Sequence, residues 1–227
     1  MQQTERNRYH CSESLRQRIA ANLSRFPIRT RPTTTAKRAA VAITIVETAH
    51  GPDVYGLPRH DHWDPDAALV LTRRAAGLRN HAGQWALPGG RMEDGEQPED
   101  TALRELGEEV GLPLESDRVM GCLDDFSTRS GFTITPVVVW GGTGVALTPN
   151  PGEVASVHRI PIAELMRKDA PILEKIPESH HPVLLMPVGH SWIATPTAAM
   201  LYQFREVAIL GQATRVAHFE QPYFAWQ

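Results

Sequence analysis

The spacing of apolar and polar positions changes period several times along the chain, and each change predicts an element. Over residues 12–26, Leu15, Ile19, Leu23 and Phe26 recur at helical spacing. Ser12 or Ser14 can cap that run and Pro27 ends it, so an amphipathic helix is expected there. Pro32 and the short linker Thr33-Thr34-Thr35 lead to 39–47, a segment rich in β-branched residues and predicted as a strand. Residues 48–66 read as a loop, because Gly51, Pro52, Gly56, Pro58 and Pro65 break any regular period. Strands are then expected over 67–72, 117–122 and 133–140, the last buried and interrupted only by Pro136, with another starting at Glu153 after the Gly/Pro loop 141–151. A short helix starts at Ile162. Residues 167–194 carry four prolines and three histidines and read as an irregular insert, whose apolar patch 183–186 suits either a pocket wall or a dimer contact. Thr195-Pro196 opens a helix with Leu201, Phe204 and Ala208 as its stripe and Gly211 as its stop, and the aromatic tail from Val216 is expected to dock as a final strand.

One further helix is the most informative. Pro98 suits a first helical position, Glu99 and Asp100 sit where the helix dipole favours acid, and Gly111 with Pro113 behind it predicts a left-handed stop. At about 100° per residue, Leu103, Leu106 and Val110 share the core face. Glu105, Glu108 and Glu109 fall together on another wedge. Like charges at this spacing cost roughly 0.2–0.5 kcal/mol per pair. An acidic face of this kind is either simply solvated or arranged around a hard cation such as Mg²⁺ or Mn²⁺, which takes carboxylate oxygens.

Composition narrows the classes. With 227 residues, 41% of them hydrophobic, the chain is long enough for one globular domain with additions. The expected division is an N-terminal helix and linker, 1–37, and a main domain with a C-terminal helical extension, 38–227. A net charge of −3 leaves no basic footprint for bulk nucleic acid, so an anionic partner must be met by a few placed arginines and by metal. Two cysteines are too few for a disulfide framework and fit a reducing compartment. No apolar run approaches membrane-spanning length and no leader pattern opens the chain, so a cytoplasmic protein without membrane contact is expected. Neither spacing nor composition decides between a monomer and a homodimer. A His/Asp-rich stretch, His60-Asp61-His62 and Asp64, could suggest a second metal site but is more simply a solvated loop.

From Gly90 the sequence runs G-x5-E-x7-R-E-L-x-E-E-x-G-L through Glu96, Arg104, Glu105, Leu106, Glu108, Glu109, Gly111 and Leu112. This resembles the complete signature of the Nudix hydrolases. The resemblance implies an α/β fold, an α/β/α sandwich around a mixed sheet, to which the N- and C-terminal helices are added. It also implies metal-assisted attack of water on a diphosphate joining a nucleoside to another group, with Glu105, Glu108 and Glu109 holding Mg²⁺ or Mn²⁺. Arg104 would pair with Glu96 or Glu105 and fix its rotamer. The base is left open between Glu105 and Glu153, the latter at a loop–strand junction where the family often places an extra carboxylate.

Upstream, Leu71, Thr72, Arg74, Ala75, Arg79, Gly83, Pro88, Gly89 and Gly90 are similar to the additional motif of the coenzyme A diphosphatases, as is the run 131–138. Val70 and Leu87 stand where that motif has Leu and Phe, and the signature lacks the extra residue that this subfamily often carries before Arg104. The implied substrate is coenzyme A or an acyl derivative, with Arg74 and Arg79 on its phosphates and Gly89 and Gly90 in the turn beside them. A guanidinium fork matches phosphate oxygens in pairs. ADP-ribose, NADH or another nucleoside diphosphate derivative is the alternative substrate. A module that binds nucleotide without turnover is a different class of answer, and it would not need the full carboxylate set found here.

Overall fold

A computed structural model describes residues 9–31, 37–77 and 83–223. Among them the chain forms α1 (Glu13–Ser24), β1 (Lys37–Ala49), β2 (Asp64–Arg74), β3 (Trp85–Ala86), β4 (Gly89–Arg91) and α2 (Pro98–Val110). These are followed by β5 (Val119–Cys122), β6 (Phe126–Ser127), β7 (Phe132–Gly142), β8 (Val154–Pro161) and α3 (Ile162–Leu165). The last part holds β9 (Ile172–Glu174), β10 (Val183–Val188), β11 (Ser191–Ala194) and α4 (Thr197–Phe204), which runs into a π-turn over Arg205–Ile209. Among the described residues no helix is long and apolar enough to cross a membrane.

The main sheet is mixed. β1 lies parallel to β7 and antiparallel to β2, with β8 on β2 and β5 on β7. Period-two alternation gives this sheet two buried faces. Ala40, Ala42, Val46, Ala68, Val70, Val137 and Val139 meet Ala102, Leu106 and Val110 of α2 on one side. Ile43, Ile45, Leu69, Leu71 and Val138 meet α1, α4 and the π-turn on the other, through Leu15, Ile19, Leu23, Leu201 and Phe204. Helices on both faces of a mixed sheet are the expected α/β/α sandwich. The N-terminal helix packs into the same core as the C-terminal one, with Ser12 accepting the Leu15 N–H as its cap at 3.4 Å.

A fork in this sheet creates the site. β1 and β2 pair from Ile45↔Leu69 to Ala49↔Asp64 and then separate. β3 fills the opening against β2, pairing Arg73 with Trp85, and β4 fills it against β1, pairing Ala40 with Gly90. The glycine-rich turn is therefore short sheet structure wedged into a divided sheet.

Four expectations are corrected. β2 begins at Asp64 and includes Pro65, which lies where the pairing with β1 shifts register, so its missing N–H is tolerated, and its carbonyl accepts the Cys11 N–H at 2.9 Å. The segment 167–194 contains a second sheet, ordered β11-β10-β9. Its patch 183–186 lies within β10, buried throughout, so it is core and no dimer face. The tail adds no strand over its described residues, only a single bridge between Val183 and Glu220. In α2, Ala102 takes the fully buried place on the core face, and Leu103 is only partly buried beside it.

The two loops over the fork are interlocked. The turn between β10 and β11 brings the His190 N–H to the Tyr55 carbonyl at 3.1 Å, and the two rings meet edge-on at 4.7 Å. A Cβ on Gly189 would stand 2.3 Å from the Tyr55 carbonyl oxygen, and one on Gly56 2.5 Å from the His190 ring. Both glycines also have positive φ, so no other L-residue fits either place without moving the partner loop.

Candidate active site

The glycine turn is dictated by close approach. A Cβ on Gly89 would lie 2.4 Å from the Ala40 carbonyl oxygen and 2.7 Å from the Val41 Cα, both main chain. A Cβ on Gly90 would lie 2.0 Å from Glu105 Oε1, the end of a side chain. β4 is thus pressed between β1 and the acidic face of α2. The helix begins at Pro98, with the Gln97 N–H donating to the Asp100 carboxylate at 3.0 Å, and stops at Gly111 with φ +65°.

Arg104 ties this region together. Its Nε donates to Glu96 Oε1 at 2.8 Å and its Nη2 to Glu96 Oε2 at 3.2 Å. Nη1 reaches Glu105 Oε1 at 2.9 Å and Glu108 Oε2 at 3.1 Å, while Nη2 also meets the Arg91 carbonyl at 3.1 Å. Both expected partners, Glu96 and Glu105, are therefore engaged at once. Glu96 also accepts from the Glu93 N–H at 2.9 Å and from Thr101 Oγ1 at 2.6 Å. Bonding to Arg104 first, and then to Glu93 and Thr101, pulls the Glu96 carboxyl down to about 2. Thr101 was not among the expected site residues, and a threonine in the first turns of a helix gives no sequence signal for this role.

Of the carboxylates, Glu105, Glu109 and Glu153 come together, each offering an oxygen within 4.8 Å of the others. Glu109 is buried and accepts the Gly89 N–H at 3.2 Å. Burial, more than the neighbouring Glu105 and Glu153 charges, pushes its carboxyl up to about 7 against the pull of Gly89 and Arg74. Burial also raises Glu105, partly offset by its bond to Arg104. Glu108 is exposed and turned to Arg104, outside the trio. Glu153 enters from the turn before β8, held by its N–H on the Asn150 carbonyl at 3.1 Å and by its own carbonyl accepting the Ala75 N–H at 2.9 Å. Three crowded carboxylates, two of them held high by burial, are a hard-oxygen donor set. That fits Mg²⁺ or Mn²⁺.

Beside the trio opens a cavity of about 690 Å³ whose wall includes Arg74, Gly89, Gly90, Phe132, Trp192 and Ile193. Such a volume suits a nucleotide-sized ligand. Arg74 lines it and acts electrostatically on Glu109. Arg79 lies outside the described residues. Ser130 lines the cavity, whereas Arg129 is engaged with Glu220. Trp192 and Ile193 come from the second sheet, so the pocket wall expected of this insert is built by β11 and not by the patch 183–186. His60 pairs with Asp64 at 3.3 Å, and among the described residues the acidic trio is the one cluster with metal-ligand geometry.

Comparison with known proteins gives the family. The NUDIX domain model matches residues 62–179. An uncharacterized Nudix hydrolase, NudL, from Pectobacterium atrosepticum is 37% identical over 61% of this chain and 74% of its own length. Its counterpart in Cronobacter sakazakii is 37% identical over 64% of this chain and 76% of its own. The NudL of Photorhabdus laumondii subsp. laumondii is 41% identical over 45% of this chain, and there the match spans only 55% of the relative. Because the domain model covers more than half of the residues and two relatives align over about three quarters of their own length, the chain belongs to the Nudix hydrolase family.

Proposed function

We propose that the chain hydrolyses a compound in which a diphosphate links a nucleoside to a second group, with Glu105, Glu109 and Glu153 holding Mg²⁺ or Mn²⁺. The observation that carries this reading is the carboxylate trio at the edge of a nucleotide-sized cavity. A divalent ion bound there supplies charge neutralisation at the diphosphate and acidity to water. The chain supplies the rest. Arg104 holds the Glu105 carboxylate in place from behind. Gly89 and Gly90 line the cavity without side chains, so a diphosphate can approach the backbone. Arg74 adds positive charge on the same wall.

Glu153 is the exposed member of the trio, and it is proposed as the group that takes the proton from the attacking water, with Glu105 as the other candidate. At Mg²⁺ high enough to fill a weakened metal site, Glu153→Gln is expected to lower kcat by at least about a hundredfold with little change in KM, the pattern of a lost transition-state interaction. An unchanged kcat at saturating metal would return the role to Glu105.

Coenzyme A or an acyl derivative is the proposed substrate, cut to 3′,5′-ADP and a phosphopantetheine. Support comes from the resemblance over 71–90, because Arg74, Gly83, Gly89 and Gly90 of that stretch line the cavity. A substrate panel with phosphate-product detection tests it. Coenzyme A should be cleaved with kcat/KM about ten- to a hundredfold above 3′-dephospho-coenzyme A, the worth of one charge-assisted hydrogen bond. ADP-ribose or NADH cut fastest, with coenzyme A intact, would overturn the substrate and leave the hydrolase standing. A nucleotide-sensing module without turnover is disfavoured by the intact trio, and the same panel would reveal it as binding without product.

A further inference from the structure

A second cavity, of about 340 Å³, adjoins the first and shares Arg73, Trp85 and Ser191 with it. Nothing in the proposed hydrolysis uses it. Its inner wall is fixed by the sheet: Arg73 on β2 is paired with Trp85 of β3 and with Ser156 of β8, and His158 follows on β8. The interlocked loops supply its rim through Tyr55 and His190.

The wall holds polar atoms with unspent bonding capacity. Trp85 is 7% exposed and its indole Nε1 has no hydrogen-bond partner. An indole N–H can only donate. His158 is 8% exposed, shares a hydrogen bond with Ser156 Oγ at 2.7 Å through Nε2, and leaves Nδ1 without a partner. The Arg73 guanidinium lies over the Trp85 ring, 3.8 Å from its centroid. Among the described residues it donates to the Gly83 carbonyl at 3.1 Å. A guanidinium carries five N–H donors and no acceptor, so most of its capacity is free for a ligand. Asp53, the acid in this wall, is drawn toward Arg59 at 3.5 Å. Burial and the Arg73 charge both lower the His158 pKa, so a second positive charge on that ring is disfavoured and Arg73 is the cation of the cavity.

An unsatisfied buried donor is costly, and this one belongs to a ring that lies under the Arg73 guanidinium and lines, with it, a space large enough for a ligand group and water. The complement is a group made of acceptors. We propose that this cavity is a subsite for a phosphate monoester of the substrate, remote from the scissile diphosphate, with Arg73 as its anchor and Trp85, Ser156 and His158 as its polar wall. The proposal rests on reading the neighbouring cavity as the hydrolytic site. Two successive arginines then divide the work: Arg74 faces the carboxylate trio, and Arg73 reaches the second cavity. The pairing of β2 with β8 shifts register between these two residues, which frees them from the strict alternation of a regular strand. For coenzyme A, the group read by Arg73 is the ribose 3′-phosphate.

The test is calorimetric binding of 3′,5′-ADP and of 5′-AMP, which differ by that one phosphate. The unaltered chain should bind 3′,5′-ADP about ten- to a hundredfold more tightly than AMP. Arg73→Ala should reduce this ratio to less than about threefold. Trp85→Phe keeps an aromatic ring under the guanidinium and removes the N–H, and it should also lower the ratio. That variant decides the matter if Arg73→Ala does not fold. Equal binding of the two nucleotides by the unaltered chain, or a preference that survives both substitutions, would overturn the proposal. A chain that prefers 3′,5′-ADP through Arg73 yet leaves coenzyme A uncut would instead overturn the proposed substrate and keep the subsite.

Discussion

Glu109→Gln is expected to lower turnover by roughly a thousandfold or more, since it removes a ligand charge from the trio, and at the same time to make the metal-free protein more stable at pH 8. The second effect follows from burial. The Glu109 carboxyl sits at about 7 in the folded chain against an ordinary value of 4.5. Between those values the native state keeps a proton that the unfolded chain has released, so stability falls as pH rises through this window. The loss is complete above pH 7 and is on the order of 3 kcal/mol. Glutamine carries no proton to lose, so the variant should show a flatter profile over the same range. Glu96 and Glu220, both held near 2 by arginines, act with the opposite sign and only below pH 4.5, and the lowered His158 and His218 act in both chains alike, so the difference between the two profiles reports Glu109. Chemical unfolding in chelator from pH 5 to 8, repeated with Mg²⁺, measures all of this. Mg²⁺ should restore the unaltered chain at pH 8 and do much less for the variant. A Glu109→Gln protein with near-normal activity would refute the metal assignment of this face.

Adjacent glycines should give opposite phenotypes when changed to alanine. At Gly90 the added methyl meets the end of the Glu105 side chain, which can swing aside. The chain should stay folded, with the carboxylate displaced from both Arg104 and the trio and kcat reduced by about a hundredfold. At Gly89 the methyl meets the main chain of β1 at Ala40 and Val41, which cannot move without opening the sheet. Overpacking of that kind costs about 1–3 kcal/mol or more, so Gly89→Ala should first appear as a lowered Tm. Paired thermal melts and Mg²⁺-dependent rates on the two variants check this, and similar melting losses in both would refute it.

The helix of the site was legible in the sequence because its signals are local: Pro98, the acids behind it, and Gly111. The sheet was legible because β1, β2 and β7 are short runs of apolar and β-branched residues between polar or turn residues, as strands covered on both faces must be. What periodicity cannot show is which carboxylates meet. The wheel places Glu105, Glu108 and Glu109 on one wedge, but the side from which β4 approaches decides that Glu108 faces solvent and Arg104. Glu153 joins from a distant turn, positioned by pairing between β2 and β8 that no local pattern records. The second sheet was hidden for another reason. Pro187 interrupts the apolar run of β10, yet it sits beside the β10–β11 turn, paired with Trp192 where the strand is ending. Arg73 stood in the variable place of its motif, and only its position over Trp85 sets it apart.

The interlock between the Tyr55 loop and the His190 turn has a bearing on how this scaffold could be recast. Each loop contributes a glycine with positive φ whose missing side chain leaves room for the other loop's backbone or ring, and a main-chain bond joins them. Grafting either loop alone from another protein would set a side chain against a neighbour shaped for none. The two form one cassette, to be exchanged together or left in place, although nearly the whole of the catalytic framework lies between them in the sequence.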